Sequence, residues 1–88
     1  MPKIRSSPRY KKSYRKLPEV IRAKVKKALT LLAENPQHPS LQTKRIQGFA
    51  GIYEARVDQN YRLTYERLTG DKLLLRAVGR HDETLRNP

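Results

Sequence analysis

The sequence predicts an α+β fold in which a helical hairpin packs on one face of an antiparallel sheet. Three short segments between residues 48 and 82 either alternate apolar and charged residues or are almost wholly apolar, and both patterns are typical of β-strands. Residues 6–34 instead place apolar residues at the helical spacing i, i+4 and i+7. The chain has 88 residues, the length of one domain, so we expect residues 1–88 to form a single domain.

The N-terminal half is predicted from its capping and helix-breaking residues. Residues 3–6 are expected to form a short edge strand, after which Ser7 caps the first helix and Pro8 occupies its first position. Pro18 separates this helix from a second one, which ends at Asn35. The two helices form the predicted hairpin at residues 6–34, and the element order becomes β-α-α-β-β-β.

The C-terminal half is predicted to be a three-stranded antiparallel meander at residues 48–82. Turn-forming residues at 58–60 and 69–71 separate the three strand segments. Because residues 73–78 are nearly all apolar, the last strand is expected in the middle of the sheet, covered on both faces.

Two segments are expected to lack regular structure. Residues 35–40 contain two prolines and should form a rigid loop, and residues 41–47 continue it, with Lys44 and Arg45 as loop cations. The polar residues 83–88 are expected to form a mobile tail.

The composition limits the location and the chemistry of the protein. The chain contains no cysteine, which excludes disulfides and thiolate metal sites. No apolar run approaches the roughly 20 residues of a membrane span, and the N-terminus lacks the apolar core of a signal peptide. We therefore expect a cytoplasmic protein with no membrane partner.

The strong positive charge predicts a polyanionic partner. The net charge is +12, and residues 1–27 hold 11 of the 20 lysines and arginines but a single acid, Glu19. Such a field attracts nucleic acid and acidic proteins, while lysines that only aid solubility are the alternative. RNA or ribosome contacts are predicted for Arg9, Lys11, Lys12, Arg15, Lys16, Lys44, Arg45 and Arg80.

The polar face of the predicted sheet carries groups suited to metal-independent RNA cleavage. This reaction needs a base for the 2′-hydroxyl proton, an acid for the leaving 5′-oxygen and cations for the phosphorane. His81, at the end of the last strand, is the candidate acid because histidine titrates near neutral pH. Arg56 and Arg62 can bind the scissile phosphate, and Glu54 is the candidate base.

Simpler interpretations of these residues stay open. The charged residues from Glu54 to Arg56 and from Arg62 to Glu66 are equally consistent with cross-strand ion pairs, each stabilising the fold by about 0.2–1 kcal/mol. The adjacent His81 and Asp82 also match the residue pair of metal phosphohydrolases, but the chain has only two histidines and lacks the helical ligand framework. We therefore predict no metal and no small-molecule cofactor.

A series of motifs gives the chain a family resemblance. They are LLAENPQHPSL, KRIQG, GIYEARV, YRLTYE and LLLRAVGRHDE, and with the basic helical hairpin they cover residues 10–83. In this order and spacing they resemble the RelE and ParE superfamily of bacterial and archaeal toxins. The resemblance implies a toxin neutralised by a co-expressed antitoxin, which we expect to be acidic. Toxins of the RelE branch enter the ribosomal A site and cut mRNA, whereas those of the ParE branch poison DNA gyrase.

The resemblance also implies roles for individual residues. Arg62 matches the phosphate-binding arginine of the RelE branch, and Arg56 stands at the second of its two strand lysines. Glu54 stands at the first lysine and departs from the pattern, so it either acts as the base or is structural. His81 looks like the histidine in the GxH ending of YafQ-like members. A terminal tyrosine of several RNase members is absent, and Asn87 is the nearest residue.

The sequence thus predicts a type II toxin that acts as a ribosome-dependent mRNA endonuclease and inhibits translation. Two alternatives are a ParE-like gyrase poison and a toxin-fold protein that binds its antitoxin or nucleic acid without catalysis.

Overall fold

The computed structural model describes residues 2–88 and consists of a five-stranded sheet flanked by helices. The α+β class is confirmed, with one strand and one α-helix more than predicted. The elements are β1 (Lys3–Ser6), α1 (Pro8–Arg15), α2 (Glu19–Glu34), a 3₁₀ helix (Pro39–Leu41), β2 (Lys44–Arg45), β3 (Ile52–Arg56), β4 (Tyr61–Leu68), β5 (Lys72–Arg80) and α3 (His81–Arg86).

The sheet is mixed, with the strand order β1-β5-β4-β3-β2. The predicted meander is confirmed in the antiparallel strands β3, β4 and β5, and β1 joins β5 as the predicted edge strand, in parallel orientation. β5 lies between β1 and β4, as its apolar run indicates, although β4 occupies the centre of the sheet.

The helical hairpin forms as predicted. The hydroxyl of Ser7 accepts a hydrogen bond of 3.0 Å from the backbone N–H of Tyr10, and Pro8 is the first residue of α1. α2 follows Pro18 and is capped at its C-terminus by Asn35. Within residues 2–88, no helix is both long enough and apolar enough to cross a membrane.

The hairpin packs on one face of the sheet and forms the main core. Val25 and Leu32 of α2 and Leu63 of β4 are completely buried, and each such side chain stabilises the fold by about 1.5–3 kcal/mol. The other buried members of this core are Tyr10, Leu17, Ala28, Leu41, Ala55, Tyr65, Leu73, Leu75 and Val78.

The segment between the hairpin and β3 is more ordered than predicted, which corrects the expected loop at residues 35–47. Lys44–Arg45 form strand β2, in which Lys44 lies opposite Glu54 of β3. Leu41 and Ile46 on either side of this strand are buried. The prolines do interrupt regular helical structure after α2, but the burial of Leu41 and Ile46 holds the segment against the sheet.

The C-terminal residues cover the opposite face of the sheet, which corrects the predicted mobile tail at residues 83–88. Most of this segment belongs to α3, and Thr84 is buried. The carbonyl oxygen of Pro88 accepts hydrogen bonds from Thr64 Oγ1 at 3.3 Å and from Arg76 Nε at 2.9 Å. These hydrogen bonds join the end of the chain to β4 and β5. The polarity of residues 83–88 alone therefore does not predict them.

The contact between Arg76 and Pro88 depends on an irregularity in the pairing of β4 and β5. Thr64 pairs with Ala77 and Tyr65 with Leu75, so that one residue of β5, Arg76, has no partner in the register. Such a bulge bends the strand and redirects a side chain. Arg76 thereby reaches Pro88 and also pairs with Glu66 at 2.9 Å, between Nη1 and Oε1.

We predict that Tyr10→Phe leaves the stability unchanged or raises it by up to about 1 kcal/mol. The buried Tyr10 hydroxyl has no hydrogen-bond partner among residues 2–88. Burial, together with the neighbouring Tyr14, raises the Tyr10 pKa from 10.0 to about 12. The neutral hydroxyl is thus favoured in the folded state, and this contribution to stability is present below pH 10 and lost as the pH rises towards 12. Urea unfolding at pH 7 and pH 11 measures both effects, and the pH difference should shrink in the variant.

Tyr14→Phe is the matched control, because the Tyr14 hydroxyl donates to the carbonyl oxygen of Arg22 at 3.5 Å. That variant should lose a little stability, by less than about 1 kcal/mol. A marked loss in Tyr10→Phe at pH 7 contradicts the prediction.

Candidate functional site

The site is built around the turn that joins β3 to β4. Asp58 Oδ1 accepts hydrogen bonds from the backbone N–H of Asn60 at 2.8 Å and of Tyr61 at 2.9 Å, an Asx turn in which a side chain replaces a backbone acceptor. Burial raises the pKa of Asp58, but the hydrogen bonds from Asn60, Lys24 and Tyr61 outweigh burial and hold this pKa below its ordinary value. The carboxylate is therefore ionised at neutral pH and holds the turn closed.

The guanidinium of Arg62 is fixed by this turn. Its Nη1 donates to the carbonyl oxygen of Asp58 at 2.6 Å and to that of Tyr61 at 3.0 Å. On its other side, Nε lies 3.7 Å from Oε1 of Glu54. With 15% of the side chain exposed, Arg62 presents a positive charge in a preset orientation, and this saves the entropy of ordering a flexible side chain when an anion binds.

His81 is attached to the same turn by a backbone hydrogen bond. It follows β5 as the first residue of α3, and its backbone N–H donates to the carbonyl oxygen of Asn60 at 2.8 Å. Its Nδ1 lies 2.9 Å from Oδ1 of Asp82, and the hydrogen bond and charge of His81 lower the Asp82 pKa. Because an ionised carboxylate can only accept, Nδ1 carries a proton, and Nε2 is the nitrogen that can exchange one with a ligand.

Arg62 and His81 line one open cleft of about 520 Å³. The cleft is bounded by the β3–β4 turn, the end of β5 and α3, and His81 keeps 47% of its side chain exposed. Three arginines and a histidine outnumber the two acids, Asp82 and Glu83, in the cleft lining, and this balance suits an anionic ligand such as a phosphate. The lining residues are Gln59, Asn60, Arg62, Arg80, His81, Asp82, Glu83 and Arg86.

The other two predicted catalytic residues lie on β3, beside this cleft. Glu54 is buried, with 8% of its side chain exposed, and contacts Arg62. Arg56 lies opposite Arg62 in the register of β3 and β4, and its Nη1 is 3.5 Å from Oε1 of Gln42. The structure therefore brings Arg62 and His81 into one cleft and Glu54 into contact with Arg62, while neither Glu54 nor Arg56 lines the cleft.

The predicted RNA-binding residues fall into two groups, and all eight are exposed. Four lie on α1 and a fifth, Lys16, is the C-cap of this helix. Arg9 and Lys16 line a second cleft together with Arg80. Because Arg80 also lines the first cleft, the basic surface of α1 is continuous with the candidate site. Lys44 and Arg45 lie on β2, at the far edge of the sheet from β1.

Several cleft residues are missing from the sequence prediction. Gln59 and Asn60 were assigned only to a turn, and Arg86 to a tail. A helical signal for α3 is nonetheless present, because Asp82 and Glu83 in its first turn and Arg86 in its last turn complement the helix dipole. Within residues 2–88, no group of three or more histidines, aspartates or glutamates is placed to hold a metal ion.

The sequence matches a known family over almost its full length. The model of the family described as ParE toxin of type II toxin-antitoxin system, parDE, matches residues 4–85. No curated protein sequence matches the chain significantly.

Solved structures share the fold. One chain of the Escherichia coli DinJ-YafQ toxin-antitoxin complex is 25% identical, with 93% of this chain and 94% of that chain covered and a TM-score of 0.76. A chain of the intact E. coli RelBE toxin-antitoxin complex is 23% identical, with 93% and 99% covered and a TM-score of 0.73. The YoeB/ParE toxin from Agrobacterium tumefaciens is 15% identical, with 90% and 98% covered and a TM-score of 0.75.

We predict that Gly79→Ala displaces α3, and with it His81, from the sheet. A Cβ at position 79 would lie 2.8 Å from the buried Thr84 Oγ1, and such overpacking costs about 1–3 kcal/mol. Thermal unfolding measures the loss, and trypsin cleavage after Arg86 should become faster.

The double variant Gly79→Ala with Thr84→Ala removes the clashing hydroxyl and should regain part of the protection, with Thr84→Ala alone as the control. Unchanged cleavage at Arg86 in Gly79→Ala contradicts the predicted packing of α3.

Proposed function

The chain belongs to the ParE toxin family of type II toxin-antitoxin systems, within the RelE/ParE superfamily, and we propose that it is a ribosome-dependent mRNA endonuclease. The observation that carries this proposal is the placement of Arg62 and His81 in one basic cleft, beside the buried Glu54. On this proposal the protein acts in the cytoplasm, cuts mRNA in the ribosomal A site and needs neither a metal nor a cofactor.

The proposed reaction is an internal phosphoryl transfer. A base removes the proton of the 2′-hydroxyl, the 2′-oxygen attacks the adjacent phosphorus, and the bond to the 5′-oxygen breaks. His81 donates its Nε2 proton to that leaving oxygen, which yields a 2′,3′-cyclic phosphate and a new 5′-hydroxyl end. Asp82, 2.9 Å from Nδ1, holds the imidazole ring by its other nitrogen and leaves Nε2 for the leaving oxygen. Arg62 stabilises the charge that develops on the phosphorane.

Glu54 retains the two roles that the sequence leaves open. Its contact with Arg62 supports the first role, in which its carboxylate lies beside the phosphate bound by Arg62 and takes the 2′-hydroxyl proton. Its burial and this same contact equally suit a carboxylate that only orients Arg62. Arg56, on the adjacent strand, adds positive charge to the face on which the RNA would lie.

The basic surface of α1 is the proposed ribosome contact. Arg9 and Lys16 join this helix to the candidate site through the cleft they share with Arg80, so rRNA and the A-site codon can be bound at once. The partner that silences the toxin is proposed to be an acidic antitoxin, as the net charge of +12 favours. An acidic protein that co-purifies with the toxin and abolishes its activity is the expected outcome.

A second candidate function is a gyrase poison, which the match to the ParE family model favours. This function needs no catalytic acid, so His81 would be an ordinary exposed residue. Supercoiling by purified gyrase, with and without the protein, tests it directly.

We predict new RNA ends at A-site codons when the purified protein is added to a translation reaction with a defined mRNA, and none when ribosomes are omitted. His81→Ala and Arg62→Ala should each reduce the single-turnover cleavage rate by about 10²–10⁴-fold, because each removes a group that acts in the transition state.

His38→Asn is the matched control, since His38 Nδ1 accepts a hydrogen bond from the Ser40 N–H at the start of the 3₁₀ helix and asparagine can accept there too. It should cleave like the wild type. Intact mRNA and unimpaired translation with the wild-type protein contradict the endonuclease. RNA that is bound but not cut indicates a toxin fold without catalysis.

A further prediction separates the two roles of Glu54. Glu54→Gln cannot take a proton but keeps an oxygen of similar position facing Arg62 Nε, which lies 3.7 Å from Glu54 Oε1, so a loss of about 10²-fold or more in single-turnover rate identifies the base. If Glu54 orients Arg62, Glu54→Gln should keep most of the activity, and only Glu54→Ala should lose it. Circular dichroism spectra verify that both variants are folded.

A further inference from the structure

We infer that Asp58 is a positioning residue, which holds Arg62 and His81 at their mutual distance across the cleft. The inference rests on the proposed function for its catalytic consequence, but the placement itself is tested without it. Asp58 is not among the residues that line the cleft, so its effect would pass through the groups that it holds.

Asp58 organises the β3–β4 turn with its side chain. Oδ1 accepts from two successive backbone donors, at 2.8 Å from Asn60 and 2.9 Å from Tyr61. Oδ2 lies 3.1 Å from Lys24 Nζ, which joins the turn to α2. Because Asp58 makes two hydrogen bonds within the turn and an ion pair with α2, the turn has few other conformations available.

Two of the candidate catalytic residues, Arg62 and His81, are attached to this same turn by main-chain acceptors. The carbonyl oxygen of Asp58 accepts from Arg62 Nη1 at 2.6 Å. The carbonyl oxygen of Asn60 accepts from the backbone N–H of His81 at 2.8 Å. A change in the conformation of the turn therefore moves the phosphate-binding group and the proton donor relative to each other.

Asp58 makes two kinds of contact, the hydrogen bonds that close the turn and the ion pair with Lys24. Asp58→Asn keeps an oxygen that can accept from Asn60 and Tyr61, because asparagine forms the same Asx turn, but it removes the negative charge facing Lys24. Lys24→Ala also removes the ion pair and leaves the turn intact. An exposed pair of this kind contributes little, so both variants should resemble the wild type, whereas Asp58→Ala loses the turn.

The first test is amide hydrogen exchange of the full chain, followed by NMR at the His81 N–H. Asp58→Ala should speed exchange at this amide by about tenfold or more, because its hydrogen bond to Asn60 opens more often. Asp58→Asn and Lys24→Ala should stay within about threefold of the wild type. Amides of the buried strand β5 serve as the reference for global stability, and rates at His81 are compared after correction for them.

Glu66→Ala is the matched control, since Glu66 is also a partly exposed carboxylate in an ion pair, with Arg76. It should leave exchange at His81 unchanged. The positioning role is overturned if Asp58→Ala does not change His81 exchange beyond the global reference, or if Lys24→Ala changes it as much as Asp58→Ala does.

The second test is single-turnover mRNA cleavage on ribosomes at saturating toxin. Asp58→Ala should lower the rate by about 10- to 100-fold, the effect of a misplaced catalytic group, with Asp58→Asn close to the wild type. Equal rates in Asp58→Ala and the wild type overturn the inference. A wild-type protein that does not cleave overturns the proposed function instead, while the exchange result still decides whether Asp58 positions His81.

Discussion

The apolar character of β5 on both of its faces is the constraint on which the rest of the structure depends. Leu73, Leu75 and Val78 face the helical hairpin, and Ala77 is buried outside that core. Since a strand with two apolar faces must be covered twice, the hairpin covers one face and the C-terminal segment the other. The C-terminal segment begins with His81, which lies against the β3–β4 turn. The packing that buries the second face of β5 therefore also assembles the candidate site.

The polar contacts of Arg62 compensate for the burial of most of its side chain. Arg62 is buried except for 15% of its side chain, and a buried cation needs several acceptors to offset the loss of water. Backbone carbonyls of the turn provide these acceptors, and the carboxylate of Glu54, 3.7 Å from Nε, adds an opposite charge. This leaves the charge oriented towards the cleft without a flexible arm, which is the arrangement that binds an anion with little loss of entropy.

The family match and the site geometry answer different questions. The match to the ParE model and the similar folds of the YafQ and RelE complexes establish the scaffold, which can carry more than one activity. The proposed nuclease activity, unlike that of a gyrase poison, requires specific side chains at the end of β5 and in the β3–β4 turn. The candidate acid His81 is therefore more informative about function than the overall similarity.

The elements whose signals are local could be predicted from the order of the residues. The cap at Ser7, the break at Pro18 and the period-two alternation around residues 53–57 each depend on neighbours within a turn or two, so the hairpin and the meander could be predicted. Arg62 and His81 could be named from residue chemistry and resemblance. β2, the packing of α3 on the sheet and the cleft lining formed by Gln59, Asn60 and Arg86 required the tertiary structure, because their contacts join residues distant in sequence. Thr64 with Pro88, and Asn60 with His81, show the physical reason: such hydrogen bonds form only after the core has brought the strands and the chain end together.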